Sequence, residues 1–237
     1  MKNLKLSFAA IGSLSLLALM PSKAQIIITE VDPTGSSTGT SSYNADWFEL
    51  TNYGTSSVSL TGWKMDDNSN SFSLAVPITG PGSIAAGQSI VFVEDTSATS
   101  DTALNAAFET AWFGNSTTKV PAGFTIGNYG GSGVGLSSTS DAVNIFNASG
   151  VLQAGVTFGA STSNVTFDNS VAKITNTGTT DGLISTLSVS GHNGAFTDAA
   201  GEIGSPGAVP EPSSWALALL VACGFGFLVR QQKAKRA

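Results

Sequence analysis

Residues 46–63 read DWFELTNYGTSSVSLTGW. Asp46 to Asn52 is a β-rich run that breaks at the Tyr53-Gly54 turn, and Ser57 to Trp63 starts again with Val58 and Leu60 on one face. Alternation of apolar and polar residues between turn signals is the mark of a half-buried strand. Working outward, the same grammar recurs. Ile26 to Val31 (IIITEV) precedes Asp32-Pro33 and a Gly/Ser/Thr loop through Ser42. Ser71 to Ala75 places Phe72 and Leu74 on one face, and Gln88 to Glu94 (QSIVFVE) follows an Ala-Gly turn. Asp141 to Phe146 and Val151 to Gly159 flank Asn147-Ala-Ser-Gly150, which reads as a hairpin turn. Val165 to Ile174 adds an edge strand. Only Asp101 to Gly114 has helical spacing, with Leu104, Ala107, Phe108 and Ala111 at i, i+3, i+4 and i+7. The stretch Gly127 to Gly135 (GNYGGSGVG) reads as a flexible turn. The fold class expected is all-β, a two-sheet sandwich with one short inserted helix.

Composition bounds the function. Of the 10 basic residues, seven lie in the first 24 or the last eight positions, leaving Lys64, Lys119 and Lys173 in the body. All 16 acidic residues lie between Glu30 and Glu211, so the stretch between the two basic ends carries a charge of about −13. Phosphate contact needs a basic surface, so a nucleic-acid partner is not expected. The single cysteine, Cys223, excludes an intrachain disulfide and a cysteine-based metal site in the body.

The two ends read as addresses. Residues 1–24 have a short basic region, an apolar stretch from Leu6 to Met20, and a small-x-small site at Ser22 and Ala24. This is the pattern of a secretory signal peptide cut between Ala24 and Gln25. At the other end, VPEP (Val209 to Pro212) precedes an apolar run from Trp215 to Val229 and a basic cluster of Arg230, Lys233, Lys235 and Arg236. As a helix, that run spans roughly 22 Å, short of the roughly 30 Å hydrocarbon core. Local thinning and snorkelling accommodate a short transmembrane helix, and the basic end would stay cytoplasmic. The order of these three features resembles the PEP-CTERM sorting signal of Gram-negative bacteria. The resemblance implies that an exosortase-type membrane enzyme recognises Pro210, Glu211 and Pro212 and processes the tail. It also implies transient anchoring in the inner membrane, display at the cell surface or outside it, and association with extracellular polysaccharide.

The body resembles a family as well. IIITEVDP, DWFELTN, VSLTGWKMDD, IAAGQSIVFVE, GVGLSSTSDAVNIFNASG and IGSPG follow the order of a lamin-tail domain. The resemblance implies an immunoglobulin-like sandwich over residues 25–207, between the leader (1–24) and the sorting segment (208–237). Residues 160 to 200 match it only weakly.

Candidate chemistry is sparse. His192, in the Gly-rich SGHNGAF loop, is the body's one histidine, and no Gly-x-Ser-x-Gly nucleophile motif is present. No catalytic residue and no enzyme activity are expected. Glu30, Asp32, Asp46, Glu49, Asp66 and Asp67 are the carboxylates that could supply oxygen ligands to calcium, although EF-hand spacing is missing; solvated loop acids are the plainer reading. Trp47 and Trp63 fall in strand motifs and are expected in the core. Trp112, at the helix end, is the candidate ligand contact for stacking on a sugar ring. The function expected is that of an exported surface or matrix protein in adhesion or polysaccharide association. The alternatives are a carbohydrate-binding module with exposed aromatics and a calcium-stabilised adhesive domain.

Overall fold

The computed structural model describes residues 25–37, 41–95, 101–114, 120–130, 133–171 and 180–208. The strands are β1 (Ile26–Asp32), β2 (Trp47–Asn52), β3 (Val58–Ser59), β4 (Lys64–Asp66), β5 (Val76–Thr79), β6 (Ser83–Ile84) and β7 (Ser89–Asp95). After helix α1 (Asp101–Phe113) come β8 (Ile126–Gly130), β9 (Asp141–Phe146), β10 (Leu152–Phe158), β11 (Phe167–Asp168), β12 (Gly182–Ile184), β13 (Phe196–Thr197) and β14 (Ile203–Gly204).

Ten strands form one hydrogen-bonded run in the order β11-β1-β2-β7-β8-β5-β4-β9-β10-β12. The run doubles back at β5, whose Val76 and Pro77 pair with β4 while Ile78 and Thr79 pair with β8. One apolar cluster therefore joins Ile28, Phe48, Leu50, Ile90 and Phe92 of the first layer to Met65, Val143, Ile145, Val156 and Phe158 of the second. These two layers, folded face to face, make the expected sandwich.

The first layer is covered on its other face too. Between β7 and its parallel neighbour β8, α1 crosses over the outer surface. Leu104, Phe108, Trp112 and Phe113 of the helix pack against Trp47, Val91 and Val93. A strand buried on both faces loses its alternation, which is why β2 is buried at every position and β7 reads Ser-Ile-Val-Phe-Val.

Three local expectations fail. The strand expected over Ser57 to Trp63 keeps only Val58 and Ser59, because the chain turns at Thr61-Gly62, where the Trp63 N–H donates to the Leu60 carbonyl (3.0 Å), before β4 begins at Lys64. Ser71 to Ala75 forms a turn in which the Ser71 carbonyl accepts from the N–H groups of Leu74 and Ala75; Leu74 is 63% exposed. Two alternating apolar residues are too few to define a strand, and the strands lie on either side, as β4 and β5. Conversely, Gly127 belongs to β8 and not to a turn. A Cβ there would sit 2.5 Å from the Phe92 ring and from the Thr79 carbonyl oxygen, so glycine marks close packing within the layer. The Asn147–Gly150 hairpin, the edge position of β11 and the helix agree with the sequence reading, although of the described residues 165–171 only Phe167 and Asp168 form β11.

Candidate functional site

On the outer face of the first layer the apolar packing under α1 gives way to a buried acidic seam. Its origin is a β-bulge. Ile28 pairs with Leu50 and Glu30 with Glu49, which leaves Thr29 as the extra residue. Ile28 and Val31 point to the sandwich core. Thr29 and Glu30 serve the outer face instead, since a bulge re-aims side chains. Glu30 is fully buried and Glu49 is 1% exposed.

Both carboxylates reach the same chain segment. Ser205 donates its N–H to Glu30 Oε1 (2.7 Å) and its hydroxyl to Oε2 (2.9 Å), and the Thr166 hydroxyl also donates to Oε1. Gly207 donates its N–H to Glu49 Oε2 (2.6 Å), and Thr29 donates its hydroxyl to Glu49 Oε1 (2.6 Å). Gly204, just before Ser205 in the chain, leaves room for this approach: a Cβ there would lie 2.8 Å from both Glu30 Oε1 and the Trp112 ring. Burial, then the charge of Glu49, pushes the Glu30 carboxyl up to about 8. Burial likewise raises Glu49 to about 7, against the pull of its hydrogen bonds. Paired carboxyls with raised affinity for protons are a familiar acid–base device. These two are enclosed and committed to Ser205 and Gly207, so what the arrangement does is latch the C-terminal segment onto the sandwich.

A second polar hub adjoins it. Tyr43 Oη accepts from the indole N–H of Trp47 (3.0 Å) and of Trp112 (3.3 Å) and donates to Glu202 Oε1 (2.8 Å). Burial first, and the neighbouring Asp32 carboxyl second, push Glu202 up to about 10. Asp32 accepts from the N–H and hydroxyl of Thr34 through Oδ1. Asp32 Oδ2 and Glu202 Oε2 are buried with no hydrogen-bond partner among the described residues. This hub corrects the expectation for Trp112. Its ring is 2% exposed and packs edge-on against Trp47 and Phe196. No face is left for a sugar. Trp47 and Trp63 lie in the core as expected.

The remaining acids are dispersed. Asp46, raised to about 7 chiefly by burial, accepts the Ser36 N–H. Asp66 accepts from Ser69 and Ser71, and Asp67 accepts from the Ser69 N–H, on the second layer. Among the described residues no three His, Cys, Asp or Glu side chains, the six carboxylates considered for calcium included, form a group able to hold a metal ion. His192 is exposed in a turn where its N–H donates to the Val189 carbonyl (2.9 Å).

An open concavity lies on the outer face of the second layer. It is a cleft of about 390 Å³ bounded by the turn after β4, by the outward residues of β9 and β10, and by Thr180 and Gly182.

A family profile described as Lamin Tail Domain matches residues 20–160. The chain belongs to the lamin tail domain family. No curated protein matches it. The lamin tail match contains both latch glutamates, while the segment they hold, Ile203 to Gly207, lies beyond it. That segment and Thr166 were not assigned roles from sequence, nor was Tyr43; only the IGSPG motif hinted at them. Gln25 is the first described residue, and its carbonyl accepts the Tyr53 N–H (2.9 Å). Ala24 and the residues expected to form a sorting signal, Pro210, Glu211 and Pro212, lie outside the described residues, as does the apolar run 215–229. Among the described residues no helix is long and apolar enough to cross a membrane.

Proposed function

We propose that this protein is an exported, non-enzymatic surface or matrix component whose lamin tail domain is the displayed body and whose tail is a PEP-CTERM-type sorting signal. The observation that carries the reading is the order VPEP, 15-residue apolar run, basic cluster at residues 209–237, opposite a signal-peptide pattern at 1–24. The leader directs the chain across the inner membrane, and cleavage leaves Gln25 at the front. The tail holds the body at the outer face of that membrane until an exosortase-type enzyme acts at Pro210-Glu211-Pro212. The released or re-anchored domain then serves adhesion or polysaccharide association. Two features support a binding role over catalysis: the buried carboxylates are committed to internal hydrogen bonds, and His192 sits alone on an exposed turn.

The test is fractionation of the native host with mass spectrometry of the mature ends. A protein beginning at Gln25 and processed near Pro210 supports the reading. Full-length protein in the cytoplasm, or turnover of glycan, ester or nucleotide substrates by the purified protein, overturns it.

A further inference from the structure

The cleft on the second layer follows from a simple pattern. In β9 and β10, Val143, Ile145, Val156 and Phe158 point to the core, so Ala142, Asn144, Gly155 and Thr157 point outward. The pairing sets Gly155 opposite Asn144 and Thr157 opposite Ala142. Two of these four outward positions carry little or no side chain, and the sheet face sinks there into a trough. A Cβ at Gly155 would lie 2.9 Å from Asn144 Oδ1 and 3.3 Å from the Thr180 methyl carbon, so the glycine keeps the trough open.

The rim is polar and uncharged but for one group. Asp141 is that group, and its carboxylate already accepts the N–H groups of Asn68 (3.1 Å), Ser137 (2.7 Å) and Ala142 (2.8 Å). Asn144 spends one amide proton on the Asp67 carbonyl (2.7 Å). The side-chain amides of Asn68 and Asn70 and the hydroxyl of Thr157 have no hydrogen-bond partner among the described residues, and all three side chains line the cleft. Such groups both donate and accept. Among the described residues no Lys or Arg lines the space, and the Phe158 that borders it is only 2% exposed and points to the core, which disfavours phosphate, carboxylate and stacked bases. The volume lies within the range of small-ligand sites.

We propose that this cleft binds a neutral saccharide unit of a polysaccharide chain, its hydroxyls held by Asn68, Asn70, Asn144 and Thr157 over the floor of Ala142 and Gly155. The proposal deepens the polysaccharide association given above and rests on it. It replaces stacking on an exposed aromatic with hydrogen bonding in a trough.

The experiment titrates the purified full-length protein with neutral oligosaccharides (cello-, malto- and chito-oligomers and mannan fragments), with an anionic uronate oligomer, and with calcium chloride. Isothermal titration and saturation-transfer NMR are the readouts. At least one neutral oligomer binds, and the N68A/T157V double variant weakens it by at least about tenfold with an unchanged melting temperature. Asn70→Gly, which suits the positive φ of 47° at that position, weakens it without refolding the turn. Absence of binding to every neutral oligomer overturns the proposal. So does preference for the uronate, or binding that survives the double variant. Export and tail processing are measured in cells and do not depend on these side chains, so failure of the cleft and failure of the sorting reading are separable.

Discussion

Glu30→Gln tests the latch through its pH dependence. The Glu30 carboxyl titrates at about 8 in the native protein, against 4.5 ordinarily, and Glu49 at about 7. A native acid whose affinity for protons is raised stabilises the fold fully below the unfolded value, and that stability is lost as pH climbs through the folded value. Wild-type stability therefore falls between about pH 5 and pH 8. Each titrating group contributes about 1.4 kcal/mol per pH unit, so Glu30 alone accounts for at most about 4 kcal/mol over three units. Against a total stability of roughly 5–15 kcal/mol, that is a large share. Glutamine mimics the protonated acid: it keeps an oxygen for the Ser205 and Thr166 donors and carries no charge to bury. At pH 5 the variant should lie within about 1 kcal/mol of wild type, the scale of one imperfect hydrogen bond. Its curve should then be shallower by about 1.4 kcal/mol per pH unit, making it the more stable protein at pH 8. Glu202 and Asp46, also raised, tilt both curves alike and cancel in the difference. Urea unfolding at pH 5, 6.5 and 8, followed by tryptophan emission, gives the numbers. Parallel curves, or a wild type more stable at pH 8 than at pH 5, would refute the assignment of Glu30 as a buried, proton-holding latch.

Tyr43→Phe strips the shared acceptor from the Trp47 and Trp112 indoles and the donor from Glu202, leaving buried groups unpaired. A loss of about 2–4 kcal/mol is expected in urea unfolding at pH 7. Gly204→Ala drives a methyl into Glu30 and the Trp112 ring. It should cost about 1–3 kcal/mol by overpacking and make the C-terminal segment the first site of limited proteolysis. Replacing Pro210, Glu211 and Pro212 with Ala should leave the melting temperature unchanged and block tail processing in the native host; normal processing would reduce the tail to an ordinary anchor.

The long strands were legible because each carries its own signal. β1, β2 and β7 are seven, six and seven residues of β-rich sequence, and β9–β10 is joined by a turn whose residues announce it. The helix was legible for the same reason. The C-terminal third was not, because β11 to β14 are two or three residues long, β11 pairs with β1 far away in the chain, and the side-chain bonds that hold the last segment reach further still. Ser205 binds a glutamate 175 positions earlier, and Gly207 one 158 positions earlier. No window of sequence contains both ends of such a bond.

The acidic residues show the same limit from the other side. Glu30 and Glu49 sit in strands, and a charged residue in an alternating pattern is ordinarily assigned to the wet face. That inference assumes one face is wet. In the first layer both faces are covered, by the second layer within and by α1 and the C-terminal segment without. A covering segment with almost no strand of its own cannot satisfy its N–H groups by sheet pairing, and buried N–H groups must be satisfied. Carboxylates projecting from the bulged strand and its neighbour are acceptors of the right reach. The glutamates are therefore best understood through the segment they hold. Their burial follows from it, and so does the sensitivity of the whole fold to pH.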